Sequence, residues 1–199
     1  MLTTSRSWAR AIAAIGMTAV AAAIGTVTYQ ASAAEVTAPT ADSSGSRPLA
    51  IPAVPEAIKP PAGSRPVGTY HVVSGTQTYT CVVASGATTG AYTGASVPEA
   101  RLAGSGGRIH HFAGPSWQSQ RDGSLVTATK TAASAVTGTI PELLLQVQTH
   151  SGTGILDRAD YINRLSTSGG VAPTGECATG ETVAVPYQAV YVFWDAPAA

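Results

Sequence analysis

Beyond residue 66 the chain is a succession of short β-branched and aromatic runs, each soon broken by Gly, Pro, Asp or Ser, and no stretch repeats its apolar residues at helical spacing. That punctuation excludes a helical bundle and any fold of alternating strands and helices. The runs fall at 67–73, 76–83, 108–112, 125–130, 143–149, 161–165 and 183–194. With roughly seven to eight short strands and glycine-rich turns, the expected fold is all-β: one antiparallel β-sandwich or a partly closed β-barrel.

The first two runs are separated by Ser74-Gly75, which reads as a two-residue hairpin turn. In that register Tyr70 and Val72 share a face with Gln77, Tyr79 and Cys81, and this face is the core, leaving His71 in solvent. The last run alternates Tyr187, Ala189, Tyr191 and Phe193 against Gln188, Val190, Val192 and Trp194. Being apolar on both sides near its end, it reads as a central strand that the fold cannot lose.

The start of the chain carries an address. Arg6 and Arg10 precede an Ala-, Ile- and Val-rich run over 11–27, and Ala31, Ser32 and Ala33 supply the small residues that a signal peptidase needs. Residues 1–33 are therefore expected to be a cleaved signal peptide, leaving no stable membrane insertion and a secreted chain that starts at Ala34 or Glu35. Arg6 and Arg10 are not adjacent, and no Cys follows the apolar run, so neither a twin-arginine nor a lipidation signal is present. Residues 34–66 hold seven of the 13 prolines and read as a linker, with an extended arm from Leu49 that lies on the domain through Ile51, Val54 and Ile58. The remaining 67–199 form the single β-rich domain.

Without the signal, Lys plus Arg falls from 11 to 9 against 11 Asp plus Glu, a net charge near −2, which gives no footing for nucleic acid. Only Cys81 and Cys177 are present, and in an oxidising compartment they are expected to pair as one long-range disulfide.

Unusual side chains are densest from His110 to Trp117 and at Asp122-Gly123-Ser124. On a strand, His110 and His111 point to opposite faces and cannot serve one site. Turn chemistry explains most of the cluster: Trp117 packs over the turn, Asp122 satisfies turn amides, and one histidine is a hydrogen-bonded core residue. A catalytic reading makes His111 the base, Asp122 its orienting group and Ser124 the nucleophile, without any G-x-S-x-G elbow. A metal reading takes His110 or His111 with His150 and Asp157 or Asp160, scattered residues that match no ligand spacing, so neither metal nor cofactor is expected. Trp117, Arg164 and Tyr187 could form a stacking and hydrogen-bonding face for a ligand.

A series of motifs runs in order along the domain. They are Gly75-x-Gln77-x-Tyr79-x-Cys81, Pro98-Glu99-Ala100-x-Leu102 and His111-Phe112-Ala113-Gly114-Pro115-x-Trp117 with Asp122-Gly123-Ser124. Ile140-Pro141 before Leu143-Leu144-Leu145, then Tyr161-Ile162-x-Arg164, Thr167, Gly169-Gly170-x-Ala172-Pro173 and Cys177 continue the pattern. Val185-Pro186-Tyr187-x-Ala189-x-Tyr191-x-Phe193 closes it, and the ordered set resembles a family of secreted bacterial and fungal proteins known as domain of unknown function 3455. The resemblance implies a secreted, strand-rich single domain whose two cysteines occupy recurring positions and which has no established activity. Some relatives carry a malate dehydrogenase label, but this chain has neither a dinucleotide fingerprint nor strand-helix alternation. Two departures stand out: Glu142 replaces the tryptophan that usually follows Ile-Pro, and 84–95 lacks the tryptophan often found after the first cysteine.

The first functional expectation is a non-enzymatic extracellular binding or structural domain, with a cell-surface polymer, a small molecule or an extracellular protein as partner. The second is a hydrolytic or metal-assisted enzyme centred on His111 and Asp122.

Overall fold

The computed structural model describes residues 50–93 and 96–198. The expected signal at 1–33 and the arm as far as Leu49 lie outside the described residues. Among those described, the strands are β1 (Arg65–Thr80), β2 (Val97–Gly104), β3 (Gly107–Phe112), β4 (Ser116–Ser119), β5 (Leu125–Ser134), β6 (Glu142–Ser151), β7 (Tyr161–Gly169) and β8 (Thr182–Asp195). Each pairs antiparallel with the next, and β8 returns to β1, so the all-β fold is a closed eight-stranded barrel. Closure removes every sheet edge, which a sandwich would leave open.

The expected hairpin at Ser74-Gly75 is instead a bulge within one continuous strand, β1. Against β2 the register slips between Val72 and Ser74, and against β8 between His71 and Thr76. The slip changes which parity faces inward: Tyr70 and Val72 are buried before it, Gln77 and Tyr79 after it. A hairpin and a bulge impose the same change of face, so the assignment of a shared core face holds although the turn does not. At the bulge, a Cβ on Gly75 would lie 2.7 Å from Ala100 Cβ, and only glycine lets β1 come this close to β2.

Trp117, expected over a turn, instead sits in β4, and its side chain enters the barrel at 1% exposure. β2 escapes notice in the sequence because Pro98, Glu99 and Arg101 interrupt its apolar residues, yet Ala100 and Leu102 point inward as alternation requires. His71 is exposed, as expected.

Deep in the barrel, at the end of the β2–β3 turn, Tyr70 meets Phe193 edge to face at 5.5 Å, and Leu102, Ile109, Val126 and Leu156 fill the space around them. Outside the barrel, a single turn of 3-10 helix (Glu56–Ile58) carries Ile58, fully buried, onto Leu144, Leu165, Val192 and Trp194. Asn163, itself buried, fixes this contact by donating to the carbonyls of Ile58 (2.8 Å) and Leu143 (3.0 Å) while accepting from Trp194 Nε1 (2.9 Å). The arm thus docks through Val54 and Ile58, whereas Ile51 is 38% exposed. This second layer explains why β8 is apolar on both faces.

Cys81 and Cys177 form a disulfide with a Cα separation of 5.9 Å, tying the segment after β1 to the segment before β8. A loop of 96 residues contributes up to about 4.7 kcal/mol in the chain-entropy model. A disulfide suits an oxidising compartment, and no helix among the described residues is long and apolar enough to cross a membrane.

Candidate ligand site in the open mouth of the barrel

At the end of the barrel opposite Tyr70 and Phe193, the interior is not filled. A cavity of about 460 Å³ opens there, the size of small-molecule sites in general, and side chains from all eight strands reach its wall. Closed eight-stranded barrels are wide enough to hold one such ligand.

His111 and Trp117 form one wall. They are paired across β3 and β4, and their rings stack at 4.3 Å and an angle of 5°. His111 Nδ1 lies 2.9 Å from the Ser116 carbonyl, which can only accept, so Nδ1 carries the proton and Nε2 is left as an acceptor. Burial pulls the imidazole pKa from 6.5 down to about 3; the Ser116 carbonyl opposes this, while the charges of Arg164 and His110 add to it. The ring is neutral at ordinary pH.

Tyr191 from β8 closes the floor, its ring 5.3 Å from His111 and 5.9 Å from Trp117. Its hydroxyl lies 3.2 Å from that of Tyr187, and burial pushes both phenols to higher pKa, so both remain protonated. Tyr187 therefore supports Tyr191 from behind and does not line the cavity.

Arg164 on β7 stands beside Tyr191 and Leu143 in the register, which places all three on the inner face. Its Nε and Nη2 donate to the Pro141 carbonyl at 3.2 and 2.9 Å, fixing the plane of the guanidinium. Lys130 pairs with Leu145 and likewise faces inward, where the mouth opens to solvent.

Two buried donors on lining residues have no hydrogen-bond partner among the described residues: Trp117 Nε1, on a residue 1% exposed, and Gln77 Nε2, on one 2% exposed. The Gln77 carbonyl oxygen accepts from Ser96 Oγ. Its amide nitrogen favours an ionised Tyr187 by proximity but closes no bond to it. Each such group costs about 1–3 kcal/mol when buried without a partner.

The sequence-derived catalytic set is not brought together. Asp122 and Ser124 line no part of the cavity and lie in the turn between β4 and β5, beyond Ser119 at the filled end. There Asp122 accepts from the Ser124 amide (3.1 Å), the Ser124 hydroxyl (2.6 Å) and the Ile155 amide (3.1 Å). These bonds, the Ser124 hydroxyl foremost, lower its pKa from 3.8 to about 2. A Cβ on Gly154 would collide with this carboxylate, so the loop after β6 closes onto it only because that residue is glycine.

The metal candidates are also dispersed. His110 faces outward and contacts Glu99 at 2.7 Å, His150 Nε2 lies 2.9 Å from the Ala159 carbonyl, and Asp160 accepts from the Ala196 amide. No group of three or more His, Cys, Asp or Glu among the described residues is placed to hold a metal ion.

Of the expected ligand contacts, Trp117 and Arg164 meet at the cavity. Sequence reasoning did not identify Gln77, Lys130 and Tyr191 as contacts. Gln77, a polar residue on the core face of β1, was the one available signal.

One family model, described as a protein of unknown function (DUF3455), matches residues 61–195. No curated protein and no solved structure matches the chain.

Proposed function

The chain belongs to the DUF3455 family, whose description assigns no activity, and on the form of the barrel we propose that it is an exported binding protein that takes one small molecule in its mouth. The observation that carries this is an open cavity of about 460 Å³ whose wall joins the stacked His111–Trp117 pair and apolar Leu143 and Leu145 to the fixed guanidinium of Arg164. An apolar concavity with a few convergent polar groups is the form that small-molecule sites take. Trp117 supplies the stacking surface and Arg164 a fixed donor. The separation of His111 from Asp122 and Ser124 favours binding over hydrolysis.

Native mass spectrometry of the protein purified from culture medium tests both halves of the proposal. A chain starting at Ala34 or Glu35 and carrying a one-to-one adduct is expected. The adduct should be lost in Leu145→Trp, which fills the cavity, provided circular dichroism shows the variant folded. Retention of Met1 overturns export. Absence of an adduct, together with no calorimetric signal for any of a panel of apolar, anionic and cationic small molecules, overturns binding.

A further inference from the structure

The wall of the cavity has a sign. Resting on the binding role proposed above, we infer that the ligand is a small organic monoanion, a carboxylate on a flat apolar body, held by Arg164 and Lys130.

Among the described residues the lining carries two cationic side chains, Lys130 and Arg164, and no Asp or Glu. Neither cation takes part in an ion pair among those residues. The nearest acids on the wall strands are turned away and occupied. Glu99 of β2 pairs with His110 on the outer face, and Glu142 of β6, next to inward-facing Leu143, accepts from the Ser166 amide at 2.6 Å. An arginine beside buried tyrosines without a carboxylate leaves its charge only partly compensated, and the Pro141 carbonyl takes up just its Nε and Nη2. With its Nε–Nη2 edge occupied, the guanidinium presents its Nη1–Nη2 end, oriented in advance for a planar oxyanion held by two parallel hydrogen bonds.

The rest of the cavity describes the body of that anion. Leu143, Leu145 and Ile140 give an apolar side, and the stacked His111–Trp117 pair gives an aromatic one. A neutral imidazole beside Trp117 adds no charge, so the positive field comes from the two cations alone. A fully polar anion such as inorganic phosphate would leave the apolar side without a partner, and a cationic ligand would face like charge within the same low-dielectric space.

Three probes with one ring system separate this inference from the reading it rests on: 2-naphthoate, 2-naphthamide and 2-naphthylmethylammonium, titrated by calorimetry into the mature protein. We expect 2-naphthoate to bind about tenfold or more tighter than the amide, the margin of a charge-assisted over a neutral hydrogen bond, and the ammonium to bind weakest. Lys130→Met removes an exposed charge that no hydrogen bond uses and should narrow the naphthoate preference; Arg164→Gln should abolish it if the variant retains the wild-type circular dichroism. Equal affinity for all three probes overturns the anionic inference and leaves a cavity that binds small molecules. Failure of all three to bind overturns both. A preference that survives in both variants also overturns it, since the charge would then act from elsewhere.

Discussion

The two ends of the barrel are built from the same eight strands, yet one is finished and the other is not. At the filled end, Tyr70, Ile109 and Phe193 occupy the axis, and the polar groups close on one another, Asp122 taking hydrogen bonds from Ser124 and Ile155. At the mouth, two cations face a 460 Å³ cavity that no carboxylate lines among the described residues. Stability resides at the first end and recognition at the second. A barrel of this size can carry a binding site because half its interior is enough to hold it closed.

The comparison breaks most visibly if the filled end is not where stability lies. Phe193→Ala, at 0% exposure, should cost about 3–5 kcal/mol in urea unfolding. A loss no larger than that of a mouth variant would remove the distinction. The two ends should also titrate in separate windows. The unfolded imidazole of His111 takes up a proton below about 6.5, and the buried one only near 3, so stability is complete above 6.5 and declines as pH falls, by up to about 1.4 kcal/mol per pH unit. Asp122 works through a depressed pKa, so its contribution is present above 3.8 and lost only as pH falls toward 2. Chemical denaturation from pH 7 to 4 should therefore show a slope that His111→Asn flattens and Asp122→Asn leaves alone; the reverse pattern would exchange the roles of the two ends. The smallest effect sharpens the contrast further. Gln77→Met removes a buried amide nitrogen that has no partner among the described residues together with the bond its oxygen takes from Ser96, two effects of opposite sign, and should change stability by no more than about 1 kcal/mol. A clear loss of stability would make the mouth an ordinary core.

Much of the fold was legible from residue type alone. Alternation in β8 and the turn residues around β3, β5, β6 and β7 give their positions, because period-two burial is a local property. The bulge in β1 imitated a hairpin because Ser74-Gly75 suits both, and only the partner strands on either side decide between them. β4 was hidden by its brevity, Ser116–Ser119, between two turn signals. The site was legible in fragments. Trp117 and Arg164 stand out as a tryptophan and an arginine in sparsely charged sequence, but the cavity is the joint product of eight strands, and Lys130 reads as one more surface lysine until β5 is known to turn it inward. What Asp122 does could be read from its Gly-Ser neighbours; that it sits far from His111 could not.

The seam between β1 and β8 has a consequence in time. Every other pairing joins neighbours in sequence, but this one joins Arg65 to Asp195 and Thr80 to Thr182. A chain made from its amino end must keep one side of β1 unpaired while six further strands emerge, and the cylinder cannot close before its final segment is complete. The first strand is therefore the last to be protected.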